Sequence, residues 1–429
     1  MTRSTARRHA VWATGLMLTL GSFAVTVVEA QGSPAAVRVS PATVPAGFTD
    51  TVIGGFRKPV ALAATPDGRI LALQQGGVVR VIQNNTLLPT PALDISLQVC
   101  AAKSERGLLG VAVDPNFIVN GYVYLYYTYK KFGVCPRDAI DVPVNRVSRF
   151  TMTGNTIDPS SEKILVDEII NYNGNHNAGN LGFGKDGLLY ASVGDGGCDY
   201  EAPHGCDKNN GIAQRLNSLQ GKVLRIRPNG GIPSTNPFTG PGSARCNHGA
   251  IAAGMQCQEI YLYGLRNPFR FAFDPNAAKT RLFVNDVGQA TWEEIDNAVK
   301  GANYGWNVRE GPCAVGSETD CGPPPAGMTN PIFAYTHSAT GCQAITGGAF
   351  VPAGVWGAAY ASGYFYADFV CGEINLLQPD GSGGWTSTPF AALAAAGPVA
   401  LMFGPHNGAT SLYYTTLVNG GEIHVVDQQ

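Results

Sequence analysis

The chain has 429 residues, 45% apolar and 14% charged, with 54 glycines and 28 prolines. That balance excludes a disordered chain and describes a turn-rich protein able to bury a large core. A formal net charge of -2, with no Lys/Arg-rich run beyond the N-terminus, offers no basic surface to follow a phosphate backbone, so nucleic acid is excluded as a partner.

At the N-terminus Arg3, Arg7 and Arg8 precede an apolar run from Val11 to Val28, which closes on Val28-Glu29-Ala30 before Gln31. Small and polar residues such as Thr14, Gly15, Gly21 and Ser22 make the run weak for a permanent anchor, so residues 1–30 are predicted to be a cleaved secretory signal. An extension over 31–48 and one β-propeller domain over 49–429 are expected to follow. No later segment approaches about 20 consecutive apolar residues, so no membrane span is expected after cleavage.

From residue 62 onward an apolar strand, a turn built on Pro or Gly with Asp or Asn, and a second apolar strand recur. The units begin at Leu62, Val111, Leu181, Phe271, Ala349 and Met402, and their second strands begin near Ile70, Tyr122, Leu188, Leu282, Tyr364 and Leu412. Further strands are predicted at Val78–Ile82, Val147–Phe150, Lys222–Ile226 and Glu422–Val426. Six copies of a strand-rich unit suggest six radial sheets, an all-β six-bladed β-propeller with long disulfide-stapled loops over one face. A sandwich or two small β-domains would also accommodate the strands. In a propeller the loops collect over the channel mouth, and function is expected there.

All 10 cysteines lie beyond the signal, which implies an oxidising, secreted or periplasmic location. Local spacing suggests Cys198 with Cys206, Cys246 with Cys257 and Cys313 with Cys321. No C-x-x-C pair supports zinc.

The most informative stretch runs from Asn175 through His176 to Gly184, then the strand Leu188–Val193 and the turn Gly194-Asp195-Gly196-Gly197. It places an imidazole before a buried strand and a carboxylate after it, so the two can converge at one end of a sheet as an oriented general base. Read alone, His176 could be an ordinary polar loop residue and Asp195 a turn cap.

Four ordered segments carry a family pattern: Ser104-Glu105-Arg106-Gly107-Leu108-Leu109-Gly110; the His176 loop with Gly194-Asp195; Tyr263-Gly264-Leu265-Arg266-Asn267-Pro268; and Asn285-Asp286-Val287-Gly288-Gln289 with Glu293-Glu294-Ile295 and Gly301–Trp306. Together they resemble the soluble quinoprotein glucose/sorbosone dehydrogenase family, six-bladed propellers that use pyrroloquinoline quinone and calcium to oxidise sugars. The resemblance runs from about residue 50 to the end. It implies His176 as base, Asp195 as the acid that orients it, Arg266 as stabiliser of charge on the quinone, Glu105 and Asn267 as cofactor-facing, and the carbonyls of Gly288 and Gln289 as calcium ligands. A small-molecule sugar and an external electron acceptor are the implied partners.

The chain also departs from the pattern. Glu105 stands where glucose-oxidising members carry Gln, and Gln289 where they carry Pro. Val370, Gly397 and Val399 fall where the family places basic side chains against the cofactor's three carboxylates, and only Lys300 and Arg309 are basic after Arg281. A second reading therefore stands beside the dehydrogenase: a noncatalytic propeller, similar to that of Hedgehog-interacting proteins, that binds a glycan or protein.

Overall fold

Each of the six apolar–turn–apolar units folds as the inner hairpin of an antiparallel sheet. The structure, a computed structural model, describes residues 42–102, 105–135, 143–171, 173–197, 210–394 and 396–429. The expected signal over 1–30 and the Cys198–Cys206 pair lie outside them. The inner hairpins of blades 1 to 6 are Pro59–Ala64 with Ile70–Gln74, Leu108–Val113 with Tyr122–Tyr129, Ala178–Phe183 with Leu189–Val193, Pro268–Phe273 with Leu282–Asp286, Ile345–Phe350 with Tyr364–Asp368, and Pro398–His406 with Ala409–Thr416. Outer strands complete each sheet, and the first strand of every blade packs beside the first strand of the next, blade 6 against blade 1. The fold is a six-bladed β-propeller. Its seam is an antiparallel pairing of Phe48–Ile53 with Ile423–Gln428, which gives blade 6 its outer strand from the other end of the chain and closes the ring.

Radial stacking explains why the second strands read as continuous apolar runs rather than alternating ones. Every residue of Ile70–Gln74, Leu189–Val193, Leu282–Asp286 and Tyr364–Asp368 is buried, because a neighbouring blade covers each face. Between blades 4 and 5, for example, the Phe283 ring meets Phe350 at 4.8 Å and Tyr364 at 5.2 Å. Such pairs contribute about 0.5–1.5 kcal/mol each beyond burial.

All six inner strands slip register at the same end, between Pro59 and Ala61, Leu108 and Gly110, Ala178 and Leu181, Pro268 and Arg270, Ile345 and Gly348, and Pro398 and Ala400. Each slip leaves residues out of the ladder, the property of a β-bulge. The backbones approach closely here: a Cβ on Gly110 would lie 1.9 Å from the Gly179 carbonyl oxygen of the next blade.

Connections that enter a blade, and those that follow its second strand, share this end of the ring. Cys100–Cys135 and Cys342–Cys371 each join such a pair of connections, in blades 2 and 5. Cys246–Cys257 and Cys313–Cys321 close local loops as their spacing suggested. The two longer bridges span 35 and 29 residues, beyond what local spacing could reveal. No helix among the described residues is long and apolar enough to cross a membrane.

Candidate active site

His176 and Asp195 stand at the two ends of the blade 3 inner hairpin, so pairing of that hairpin brings them together. His176 Nδ1 lies 2.7 Å from Asp195 Oδ1, with both side chains buried. His176 holds a left-handed backbone (φ 49°), and Gly194 makes room for it: a Cβ there would sit 2.0 Å from the His176 carbonyl oxygen. Asp195 accepts three more hydrogen bonds, from Gly197 N at 2.8 Å, Trp306 Nε1 at 2.8 Å and Asn210 Nδ2. A carboxylate surrounded by donors assigns the proton of the shared bond to His176 Nδ1 and leaves the lone pair on Nε2. Nε2 has no partner among the described residues.

Beneath Asp195, Lys222 is fully buried at the head of a strand in which every residue is buried. Its Nζ donates to the carbonyls of Ala213 at 2.8 Å, Ile212 at 3.2 Å and Gln220 at 2.5 Å, fixing the loop that carries Asn210. Burial pulls the Lys222 ammonium well below the usual lysine range, and the nearby Asp195 charge opposes that shift.

The Arg266-Asn267 turn is tied to this pair. Asp195 N–H donates to the Arg266 carbonyl at 2.8 Å, and Ala178 N–H donates to Asn267 Oδ1 at 3.1 Å. The backbone N–H groups of Arg266 and Asn267 in turn bind the two oxygens of Asp286, at 2.9 and 2.6 Å. Glu105 closes the group: its Oε2 accepts from Asn177 N and Asn267 Nδ2, both at 3.2 Å. His176, Asp195, Arg266, Asn267 and Glu105, drawn from three blades, therefore form one hydrogen-bonded assembly.

Gly288 joins it in an unexpected way. Arg266 Nη1 donates to the Gly288 carbonyl at 2.6 Å and to that of Val287 at 3.1 Å, and the guanidinium lies 5.5 Å from the Trp306 ring centroid. The Gln289 N–H instead points to Glu310 Oε1, which collects four backbone N–H groups from Gln289 to Trp292 at 2.7–3.2 Å. Trp306 and Glu310 both come from the long connection between Trp292–Asn297 and Phe333–Thr336 of blade 4, which runs back to the Asp195 end.

Buried carboxylates gather behind this turn. Asp286 and Glu294 are cross-strand neighbours in blade 4, Asp296 follows on the same strand, and all are buried. Burial, followed by the neighbouring carboxylates, raises Glu294 and Asp296 well above the carboxylate range. Burial pushes Asp286 up to about 7. Both Asp296 oxygens and Glu310 Oε2 are buried without a hydrogen-bond partner among the described residues. The one group of three His, Cys, Asp or Glu side chains with metal-like spacing among the described residues, Cys342, Asp368 and Cys371, is a disulfide beside an aspartate and offers no thiolate.

Next to the assembly a cavity of about 220 Å³ occupies the centre of the ring. Its walls come from the bulges: Val60, Leu109, Phe269, Thr346 and Val399, skipped by the ladders of blades 1, 2, 4, 5 and 6, all line it, as do Glu105 and Asn267. Arg270 lines it too. This buried arginine of blade 4 donates from Nη2 across the channel to the Val60 carbonyl of blade 1 at 2.6 Å and from Nη1 to its neighbour Phe269 at 2.8 Å. Val399 thus faces the cavity at one of the three positions expected to lack a basic side chain, whereas Val370 is 48% exposed and Gly397 packs against Phe369.

Sequence reasoning overlooked Lys222 and Arg270. The available signal was charge inside largely apolar strands, Lys222-Val223-Leu224-Arg225-Ile226 and Pro268-Phe269-Arg270-Phe271-Ala272-Phe273, where a buried charge needs a purpose.

Comparison with known proteins agrees with this architecture. The HIPL2 protein of Arabidopsis thaliana is 30% identical over 354 residues, which is 70% of this chain and 48% of the relative. Quinoprotein glucose dehydrogenase B of Acinetobacter calcoaceticus is 27% identical over 265 residues, 59% of this chain and 51% of that protein. The chain spans about half the length of these curated relatives. In fold it superposes on the apo form of soluble aldose sugar dehydrogenase from Escherichia coli with a TM-score of 0.71 and 23% identity, covering 89% of this chain and 100% of that one. Residues 56–382 match the glucose/sorbosone dehydrogenase family, and with the ordered motifs and the six-bladed ring in place, the chain belongs to that family.

Proposed function

We propose that the protein is a secreted or periplasmic dehydrogenase that oxidises the hydroxyl or aldehyde group of a sugar or related polyol, using pyrroloquinoline quinone and calcium and passing electrons to an external acceptor. The observation that carries this reading is the His176–Asp195 pair: a carboxylate holding four donors fixes the imidazole with its Nε2 edge unpartnered among the described residues, in an assembly whose Glu105 and Asn267 line the cavity. His176 Nε2 takes the substrate O–H proton as hydride leaves the same carbon, and Asp195 stabilises the imidazolium that results. Arg266 offers a guanidinium to negative charge developing on the acceptor oxygen. When bound, the quinone supplies the two-electron acceptor and calcium polarises it.

The residues fit a planar quinone. Apolar walls from Val60, Leu109, Phe269 and Val399 suit a conjugated ring, and Glu105 and Asn267 supply polar contacts. Gly288 and Gln289 remain the proposed carbonyl ligands of calcium, an assignment that requires Arg266 Nη1 to leave the Gly288 oxygen. The proposed organisation is a signal over 1–30, an extension over 31–48 and the propeller over 49–429.

A second reading, a noncatalytic glycan- or protein-binding propeller, is favoured by one observation, the apolar Val399 at a cavity position where a cation would help hold an anionic cofactor. To separate the two, the mature protein is loaded with the quinone and calcium and dye reduction is followed over a panel of aldoses. Reduction that vanishes in His176→Ala and survives in Lys300→Ala, an exposed site, supports the dehydrogenase; no saturable quinone uptake by the wild type supports the binding propeller.

A further inference from the structure

The final blades contribute no lysine or arginine, yet the central cavity has a cation of its own. Arg270 projects from the bulged start of the blade 4 inner strand and is fastened at two points, Nη2 to the Val60 carbonyl on the far side of the channel and Nη1 to the Phe269 carbonyl. Carbonyls fix the direction of a guanidinium but supply no countercharge. Its third nitrogen, Nε, is buried and has no hydrogen-bond partner among the described residues. The anion that acts on it electrostatically is Glu105, which also lines the cavity, and Glu105 already receives Asn177 N and Asn267 Nδ2. A fully buried, permanently charged side chain with an unused donor is costly to keep unless something in the bound state uses it. Burial lowers its pKa only to about 10, so it stays charged at neutral pH.

We propose that Arg270 is the anion-binding residue of the central cavity, receiving a carboxylate carried on a planar conjugated ring. The proposal rests on the reading that this cavity is the cofactor's, and it assigns to blade 4 the charge neutralisation that the final blades lack. The carboxylate would complete the hydrogen bonding of Nε while the ring lies between the apolar side chains of Phe269, Leu109 and Val399. Two sources present the same chemistry, a carboxylate of pyrroloquinoline quinone or that of a small aromatic acid without a quinone.

The test compares three probes on the full mature chain in calcium: the quinone, its trimethyl ester, and quinoline-2-carboxylate, each titrated by calorimetry. The wild type is expected to bind the free quinone about 10- to 100-fold more tightly than the ester, the range of one charge-assisted contact. Arg270→Met should erase that gap and Arg270→Lys should keep most of it. If Arg270→Met does not fold, the 15N resonance of the wild-type Arg270 Nε–H replaces it, shifting with the acid and not with the ester. An unchanged gap in Arg270→Met, or an unmoved Nε–H resonance, overturns the proposal while leaving the dehydrogenase reading intact if the quinone binds. Tight, Arg270-dependent binding of quinoline-2-carboxylate with no quinone uptake supports the proposal and overturns the dehydrogenase reading. Binding of no probe overturns both.

Discussion

Replacing Asp195 by asparagine preserves shape and removes the one property that its surroundings demand. The carboxylate accepts from His176 Nδ1 and Gly197 N on Oδ1, and from Trp306 Nε1 and Asn210 Nδ2 on Oδ2. An amide has one accepting oxygen and one donating nitrogen. Whichever way the new side chain turns, two buried donors face its NH2 group; if the NH2 faces His176, the ring must take the opposite tautomer and carry its proton on Nε2. Each donor left unmet costs about 1.5–3 kcal/mol when its partner was charged, so the change removes roughly 3–6 kcal/mol of stability. The loss of orientation and tautomer should lower kcat about 10³- to 10⁴-fold. Denaturant unfolding measures the first effect, dye-linked single-substrate kinetics the second, and 15N NMR of the imidazole reads the tautomer directly. Asp195→Asn with kcat within tenfold of wild type and an unchanged Nδ1–H signal would refute the orienting role.

Other expectations follow from the same geometry. Gly194→Ala places a Cβ against the His176 carbonyl oxygen; overpacking of about 1–3 kcal/mol and a displaced imidazole should cut activity more than tenfold, checked by kinetics beside a melting curve. Lys222→Met strips three carbonyls, two of them in buried bonds, of their donor and Asp195 of a nearby positive charge, so calorimetry should show a loss of roughly 3–5 kcal/mol. Asp286, Glu294 and Asp296 bind protons more tightly folded than unfolded. Their contribution is therefore complete below the ordinary carboxylate range and is lost as pH rises through about 7 for Asp286. Unfolding in chelator at pH 5 and pH 8 should show the protein more stable at the lower value, with Asp296→Asn flattening the slope; greater stability at pH 8 would contradict it. Val399→Lys introduces a cation at the cavity wall and should tighten quinone binding about tenfold, read by absorbance titration.

The ring was legible because its core strands advertise themselves. The runs at Leu62, Val111, Leu181, Phe271, Ala349 and Met402 are apolar on both faces and separated by Pro or Gly turns, and all six became inner hairpins. The His176–Asp195 pairing was legible for the same reason, since a hairpin returns its ends to one place. What escaped notice depends on contacts between loops or strands that no local pattern marks. Cys100–Cys135 and Cys342–Cys371 are distant in sequence and adjacent only because each bridges the two ends of an inner hairpin. The reach of Arg270 to Val60 crosses the ring, and the Arg266 bond to Gly288 joins two loops of blade 4; hydrophobic periodicity carries no trace of either.

The six register slips have a bearing on how such a pocket can change over time. A residue skipped by the ladder contributes no cross-strand partner at that point, so its side chain can be exchanged with little disturbance to the pairing on either side. Val60, Leu109, Phe269, Thr346 and Val399 thus form a set of independent dials around a rigid barrel of blades. One architecture can pass from a charged lining to a greasy one, and from one occupant to another, by single substitutions that leave the strand ladders intact.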